Sequence, residues 1–182
     1  GDIQTGWGGA VYCASATGSF EHCTFRDNQS DQADGLYIST EWADGTGTGS
    51  RIEIKNSILW NRLVIKNSTV EVSYSDTLEP IGGPGNLSLD PRFTEAAIPG
   101  SPTFDYRIKL ESPCIDAATD SEVAADIEGN PRPVDVLGRG NDSGFDMGCY
   151  EFQLKKSDLT RDGKVDAEDL LMFQEEWMRE EE

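Results

Sequence analysis

Apolar residues in the first half of the chain fall in short bursts. Phe20-Glu21-His22-Cys23-Thr24-Phe25 sets an apolar residue, two polar residues and a small residue before further apolar character. Ile54-Lys55-Asn56-Ser57-Ile58-Leu59 and Ile65-Lys66-Asn67-Ser68-Thr69-Val70 repeat the pattern. Gly9-Ala10-Val11-Tyr12 is echoed by Gly35-Leu36-Tyr37, with the tyrosines 25 residues apart. A third signature, apolar-x-x-Asn, runs from Phe25 to Asn28 and from Ile58 to Asn61; that interval is 33, and the Gly/Thr-rich run Glu41 to Ser50 reads as an insertion of ten. Helical periodicity is absent before residue 165, so the repeats are predicted to be strands. Short β-prone segments at a period in the low-to-middle twenties are the signature of a solenoid.

In a stacked β-coil each strand pairs with its equivalent above and below, and Phe20, Ile54 and Ile65 would pile into one inward row. Asn28 and Asn61 would stack at turns, where amide side chains bond along the ladder. The competing architecture is a β-sandwich with irregular strand lengths. The Asn spacing and the repeated Gly-apolar-Tyr favour the coil.

The middle of the chain is rich in breakers: Ile81-Gly82-Gly83-Pro84-Gly85, Asp90-Pro91, and Pro99 to Pro102. Tyr106 to Leu110 alternates as a strand should. Cys114-Ile115-Asp116 and Met147 to Phe152 read as short closing strands, with a turn over Asp126 to Pro133 between them. From Asp166 the period changes. Leu170, Phe173 and Trp177 recur at helical spacing, flanked by Leu171 and Met178, which predicts an amphipathic helix of about four turns. Its apolar face needs a cover, ordinarily the chain's own β-body. Glu180 to Glu182 oppose the helix dipole, so fraying is expected there. The organisation is a β-rich unit over residues 1–152 and a loop-helix tail over 153–182.

The most specific chemistry precedes that helix. Between Asp158 and Asp169, oxygen-bearing side chains fall at loop positions 1, 3, 5, 9 and 12: Asp158, Thr160, Asp162, Asp166 and Asp169. A hard cation such as Ca2+ needs oxygens at alternating positions to be wrapped, and Gly163 stands where such a loop turns sharply. Lys164 at position 7 would contribute its backbone carbonyl. The twelfth position is Asp169 where the helix-loop-helix pattern has a bidentate Glu. The plainer alternative is a solvated acidic turn.

The 182 residues carry a net charge of −19, which repels phosphates and argues against nucleic acid. That balance suits an extracellular protein or a cation binder. No apolar run approaches the length of a membrane span. Gly1-Asp2-Ile3-Gln4-Thr5-Gly6 carries no signal peptide and reads as the middle of something, so a fragment or a trimmed mature form is expected. Four cysteines without a Cys-x-x-Cys, and a single His22, do not make a zinc site of ordinary spacing. Pairing by halves gives Cys13 with Cys23 and Cys114 with Cys149, and the second pair is the expected disulfide. Four buried free thiols are the alternative. Lys55 with Lys66, and Arg51 with Arg62, stand eleven apart and would form a basic strip for an anionic glycan if they align; a solvated polar face is the ordinary reading. Trp42 and Trp60 would stack on sugars only if exposed. Asp76 and Asp90 sit at turns, where Asp is favoured for backbone bonding alone. His22 is expected in a strand, exposed or hydrogen-bonded and not catalytic.

Taken together, Gly8-Gly9-Ala10-Val11-Tyr12-Cys13 with Cys23-Thr24-Phe25-Arg26-Asp27-Asn28 resembles the repeat of bacterial secreted right-handed parallel β-helix proteins, the pectate-lyase-like group. Asn56 to Asn61, Tyr74-Ser75-Asp76, Gly85-Asn86-Leu87 and Asp90-Pro91-Arg92-Phe93 follow in that group's order. So do Ser112 to Ala117, Asp126 to Arg132 and Asp146 to Glu151. The resemblance covers nearly all the chain up to Phe152 and implies fold and secretion more directly than activity. The tail from Asp158 resembles a dockerin repeat, a calcium module that tethers secreted carbohydrate-active enzymes to cohesin partners. In that family Asp is usual at position 12, and positions 10 and 11, here Ala167 and Glu168, help choose the partner. Dockerins carry two repeats; one is found here. The resemblance implies a non-catalytic extracellular scaffold or carbohydrate-associated module. The alternatives are part of a polysaccharide lyase or glycosidase acting on an acidic glycan, and a surface adhesin. Lyase or hydrolase chemistry would use a Lys or Arg base or a carboxylate pair.

Overall fold

The computed structural model describes residues 8–40, 47–94, 105–141 and 143–179. The apolar bursts become short strands: β1 (Val11–Ala14), β2 (Thr17–Glu21), β3 (Thr24–Arg26), β4 (Leu36–Ser39), β5 (Arg51–Lys55), β6 (Ile58–Trp60), β7 (Leu63–Lys66), β8 (Thr69–Ser73) and β9 (Asp76–Thr77). They form three sheets of three strands, ordered β1-β4-β7, β2-β5-β8 and β3-β6-β9. Every pair is parallel, so these strands do not make an antiparallel sandwich. Parallel neighbours ordinarily need a crossover helix. Here the chain visits the three sheets in rotation, and each crossover is made of strands.

The register shows which sequence repeats were true equivalents. Tyr12 pairs with Tyr37, their rings 5.7 Å apart, and Phe20 pairs with Ile54, which pairs with Val72. Ile65 does not continue that row; it pairs with Ile38 in the first sheet. The shared Ile-Lys-Asn-Ser text therefore marks two different corners. Asn56 (φ +54°) and Asn67 (φ +47°) both take the left-handed conformation that Asn tolerates at a bend. The serine after each then serves the backbone. Ser57 Oγ accepts the Cys23 N–H at 3.1 Å, and Ser75 Oγ accepts the Ser57 N–H at 3.1 Å. Ser68 Oγ accepts from Ser50 N, and Ser50 Oγ from Ala16 N, again at 3.1 Å. These hydroxyl ladders satisfy N–H groups where the chain leaves one sheet for the next. Partners along the Ser ladder are 34 and then 18 residues apart. The longer interval spans the inserted run between β4 and β5, of which residues 41–46 lie outside the described residues.

The asparagine stack forms as the sequence implied. Asn28 Nδ2 donates to Asn61 Oδ1 at 2.9 Å, and Asn61 Nδ2 donates to the Asn28 carbonyl at 3.3 Å. Asn61→Ala is expected to lower stability by about 1–2 kcal/mol, because Asn28 loses an acceptor in a half-buried site. Urea denaturation reads this directly. An unchanged midpoint would mean that water replaces the stack at no cost.

Between the sheets, Leu36, Ile38, Ile52, Ile54, Leu59, Phe25 and Val72 form one core. A second gathers Ile58 with Phe93, Ile108, Cys114, Ile115, Val136, Phe145 and Met147. The chain around this second core differs from the expectation. Cys114 to Asp116 and Met147 to Phe152 are not strands, and Tyr106 to Leu110 contributes only an isolated antiparallel bridge between Ile108 and Phe93. Carboxylates are the reason. Asp146 Oδ1 accepts the Asp116 N–H and Oδ2 the Phe152 N–H, while Glu151 Oε1 accepts the Val134 N–H. Side chains take bonds that a ladder would otherwise make.

Helix α1 (Ala167–Arg179) is the one described helix. It opens with a reciprocal cap: Asp166 Oδ1 accepts the Glu168 N–H, and Asp169 Oδ2 accepts the Asp166 N–H. Its apolar side is not packed on the β-body, contrary to expectation. Leu170, Leu171, Met172, Phe173, Trp177 and Met178 are all exposed, Trp177 by 61%. The tail is tied to the body through its loop: Leu137 N donates to the Arg161 carbonyl at 2.7 Å, and Gly163 lies against Leu110.

Candidate functional site

The loop from Asp158 to Asp169 is built around two buried carboxylates. Asp158 and Asp169 are 6% and 4% exposed, although both lie in an otherwise open segment. Asp158 Oδ2 accepts the Gly163 N–H at 2.9 Å, which draws the loop into a bend where Gly163 takes φ +86°. Asp169 Oδ1 reaches back across the loop to the N–H groups of Leu159 (2.7 Å) and Thr160 (3.0 Å). Those bonds, the one from Thr160 foremost, hold the Asp169 carboxyl below the ordinary range. Thr160 Oγ1 lies 3.4 Å from Asp158 Oδ1 and 3.2 Å from Asp169 Oδ1, so positions 1, 3 and 12 come together. Asp162 and Asp166 are each held by the N–H two residues on, from Lys164 and Glu168. Ala167 and Glu168 lie exposed on the first turn of α1. The donor set is all oxygen, as a hard cation requires. Among the described residues, no three His, Cys, Asp or Glu side chains are gathered closely enough to hold a metal ion.

A second polar centre lies where the closing segment meets the strands. His22 is not in a strand. It sits at the corner between β2 and β3 with φ +49°, and it is 6% exposed. Its Nδ1 lies 2.5 Å from Arg132 Nη1, and Asn56 Nδ2 lies 3.3 Å from its Nε2. A guanidinium only donates, so Nδ1 accepts from Arg132; the same nitrogen lies 3.2 Å from the Asp146 carbonyl. Burial first, and then the Arg132 charge, lower the His22 pKa to about 4, so the ring is neutral. Arg132 also donates to the carbonyls of Asp146 (3.3 Å) and Gly148 (2.8 Å) and stands 3.6 Å from Glu151 Oε2. Arg132 and Glu151 side chains are 1% and 0% exposed.

Burial pushes Glu151 up to about 7 and Asp146 well above the ordinary range, the latter helped by the neighbouring Glu151 charge. Of the two, Glu151 is the one that faces Arg132, while both Asp146 oxygens accept backbone N–H groups. Burial opposes the Asp126 charge, but bonds from the Asn130 side chain and backbone, Glu151 N and Glu128 N outweigh it and lower that carboxyl. Asp146 and Glu151 are a carboxylate pair in sequence terms, yet both are sealed from solvent and spent on backbone N–H groups. The sequence reading overlooked this centre. Its one signal was acids embedded in apolar runs, Asp146 between Phe145 and Met147, and Asp116 after Cys114-Ile115.

A cavity of about 540 Å³ opens beside it, walled by Phe20, His22, Cys23, Phe25, Arg132 and Cys149 among others. All four cysteines are free in this structure, so Cys114 and Cys149 are not joined in it. Cys114 is in the second core with its thiol donating to Asp76 Oδ2 at 3.4 Å, while Cys149 faces the cavity.

The basic strip does not assemble. Lys55 lies on β5 and Lys66 on β7, in different sheets. Lys55 Nζ is bound to the Asp120 carbonyl, Arg51 pairs with Glu71 at 3.0 Å, and Lys66 lies over the Tyr37 ring. Trp60 packs on the second core, and Trp42 lies outside the described residues. Asp76 is buried, and Asp90 Oδ1 accepts the Arg92 N–H in a turn. No helix of the described residues is long and apolar enough to cross a membrane. No family model, curated protein or solved structure matches the chain.

Proposed function

We propose that this chain is a non-catalytic extracellular module: rungs of a right-handed parallel β-helix of the pectate-lyase-like kind, carrying a dockerin-like calcium tail. The rotation of the chain through three parallel sheets, with serine and asparagine ladders at the corners, supports the β-helix reading. The observation that carries the functional reading is the tail. A loop of oxygen donors, oriented by its own N–H groups, leads into a helix whose apolar side is left uncovered. Asp158, Thr160, Asp162, the Lys164 carbonyl, Asp166 and Asp169 would hold Ca2+, whose charge would offset the loop's carboxylates. The bare face of α1, with Ala167 and Glu168 at its start, would then meet a cohesin-like partner.

Calorimetry on chelator-treated protein tests this. Ca2+ should bind with heat, raise helicity and raise the melting temperature. Asp158→Ala with Asp162→Ala should weaken binding by about 100-fold or more and remove both effects. A wild-type chain that gives no binding heat and no thermal shift with millimolar Ca2+ would refute the calcium reading. The alternative, a lyase or glycosidase fragment, requires an accessible acid or base. It would be supported instead by product release from an acidic polysaccharide.

A further inference from the structure

We propose that Cys23 and Cys149 are a redox pair that closes into a disulfide, clasping the β2–β3 corner to the closing segment of the chain. Both cysteines are half-buried and wall the same cavity of about 540 Å³. Cys149 is held beside the residue that follows Cys23: Cys149 N donates to Thr24 Oγ1 at 3.0 Å, and a Cβ on Gly148 would stand 2.7 Å from the same oxygen. The contact is fixed from both sides. Gly148 N donates to the Asn56 carbonyl at 2.8 Å, and Arg132 Nη2 donates to the Gly148 carbonyl at 2.8 Å. Gly148 takes φ +94°, which lets the chain turn this closely. The other two cysteines are elsewhere: Cys13 lies on β1, and Cys114 is fully buried against Asp76.

The chemistry balances with a small-molecule disulfide such as oxidised glutathione as oxidant. One cysteine thiolate attacks a glutathione sulfur and expels a glutathione thiolate. The second cysteine thiolate attacks the protein sulfur of that mixed disulfide and expels the other. Two thiol protons leave, and two electrons pass to glutathione. Burial raises both thiol pKa values, and for Cys23 the nearby Cys149 adds to this, so exchange speeds up as pH rises toward 9. The oxidising compartment follows from the proposed secretion; the pairing itself does not depend on calcium.

The test is thiol mapping of the purified chain in a glutathione redox buffer at pH 8.5. Two of the four thiols should be lost, and non-reducing peptide mapping should recover one cross-link, Cys23 to Cys149. The melting temperature should rise on the order of 10 °C on oxidation, since the closed loop is long. Cys149→Ser should abolish the cross-link and the shift, and Cys13→Ser should leave both. Four alkylatable thiols after oxidation, or a bridge containing Cys13 or Cys114, would overturn the pairing. The wild-type map does so even if a variant fails to fold. Calcium calorimetry on the same samples reports separately on the tail.

Discussion

Arg132→Met is expected to cost about 3–5 kcal/mol of folding free energy, a large share of the margin on which a domain of this size survives. Arg132 is the cation opposite Glu151, and both side chains are closed off from water. Methionine fills much of the space but leaves Glu151 with no positive neighbour in a setting that already pushes its pKa to about 7. It also strips donors from the Asp146 and Gly148 carbonyls and from His22 Nδ1. Losing acceptors' partners in a buried site costs more than the bonds contributed.

The pH dependence has a definite sign. Removing the cation raises the Glu151 pKa further, so the variant's penalty should shrink as pH falls below 7 and Glu151 takes a proton. Pairing Arg132→Met with Glu151→Gln should recover part of the loss, giving a coupling of about 1–3 kcal/mol. Recovery stays incomplete, because Glu151 accepts the N–H groups of both Val134 and Asp146 and an amide can serve only one. Urea denaturation at pH 5.5 and 8 measures all of this. A cost below about 1 kcal/mol at pH 8 would show that the centre is held by packing alone.

The strands were legible because their signals are local. Tyr12 and Tyr37, or Asn28 and Asn61, announce equivalent positions by composition and spacing, and the register bears both out. Ile65 misled because a corner repeats its chemistry at every bend. An asparagine tolerating positive φ followed by a serine hydroxyl looks the same whichever two sheets it joins. The closing segment was illegible for a different reason. His22, Asp116, Arg132, Asp146 and Glu151 come from four places in the chain, and their meaning lies in meeting one another. The helix period was read correctly from Leu170, Phe173 and Trp177, but amphipathicity states only that a face wants a cover. It does not say that the loop's ties at Arg161 and Gly163 leave that face bare.

Asp76→Asn is expected to stabilise the protein at pH 8 and to flatten a fall in stability between pH 4 and 7. Asp76 sits in β9 with no exposed surface, accepting the Leu89 N–H at 3.0 Å and the Cys114 thiol at 3.4 Å. Burial raises its pKa to about 6, against 3.8 in the ordinary range. The folded state therefore binds the proton more tightly than the unfolded state. The stabilisation is fully present below about pH 4 and is lost as pH rises through 6. Two units correspond to about 2–3 kcal/mol. Asparagine keeps the acceptor for Leu89 and carries no charge, so it escapes that loss. Its amide N–H faces a thiol sulfur, a weak acceptor, which trims the net gain at pH 8 to about 1–2 kcal/mol. Asp116, raised to about 6 by burial, slopes the same way, while His22, lowered to about 4, slopes oppositely between pH 4 and 6.5. The wild-type profile sums these terms, so the difference between variant and wild type isolates Asp76. That difference should grow in favour of Asn from pH 4.5 to 8; parallel curves would mean that Asp76 ionises as freely in the folded chain as in the unfolded one.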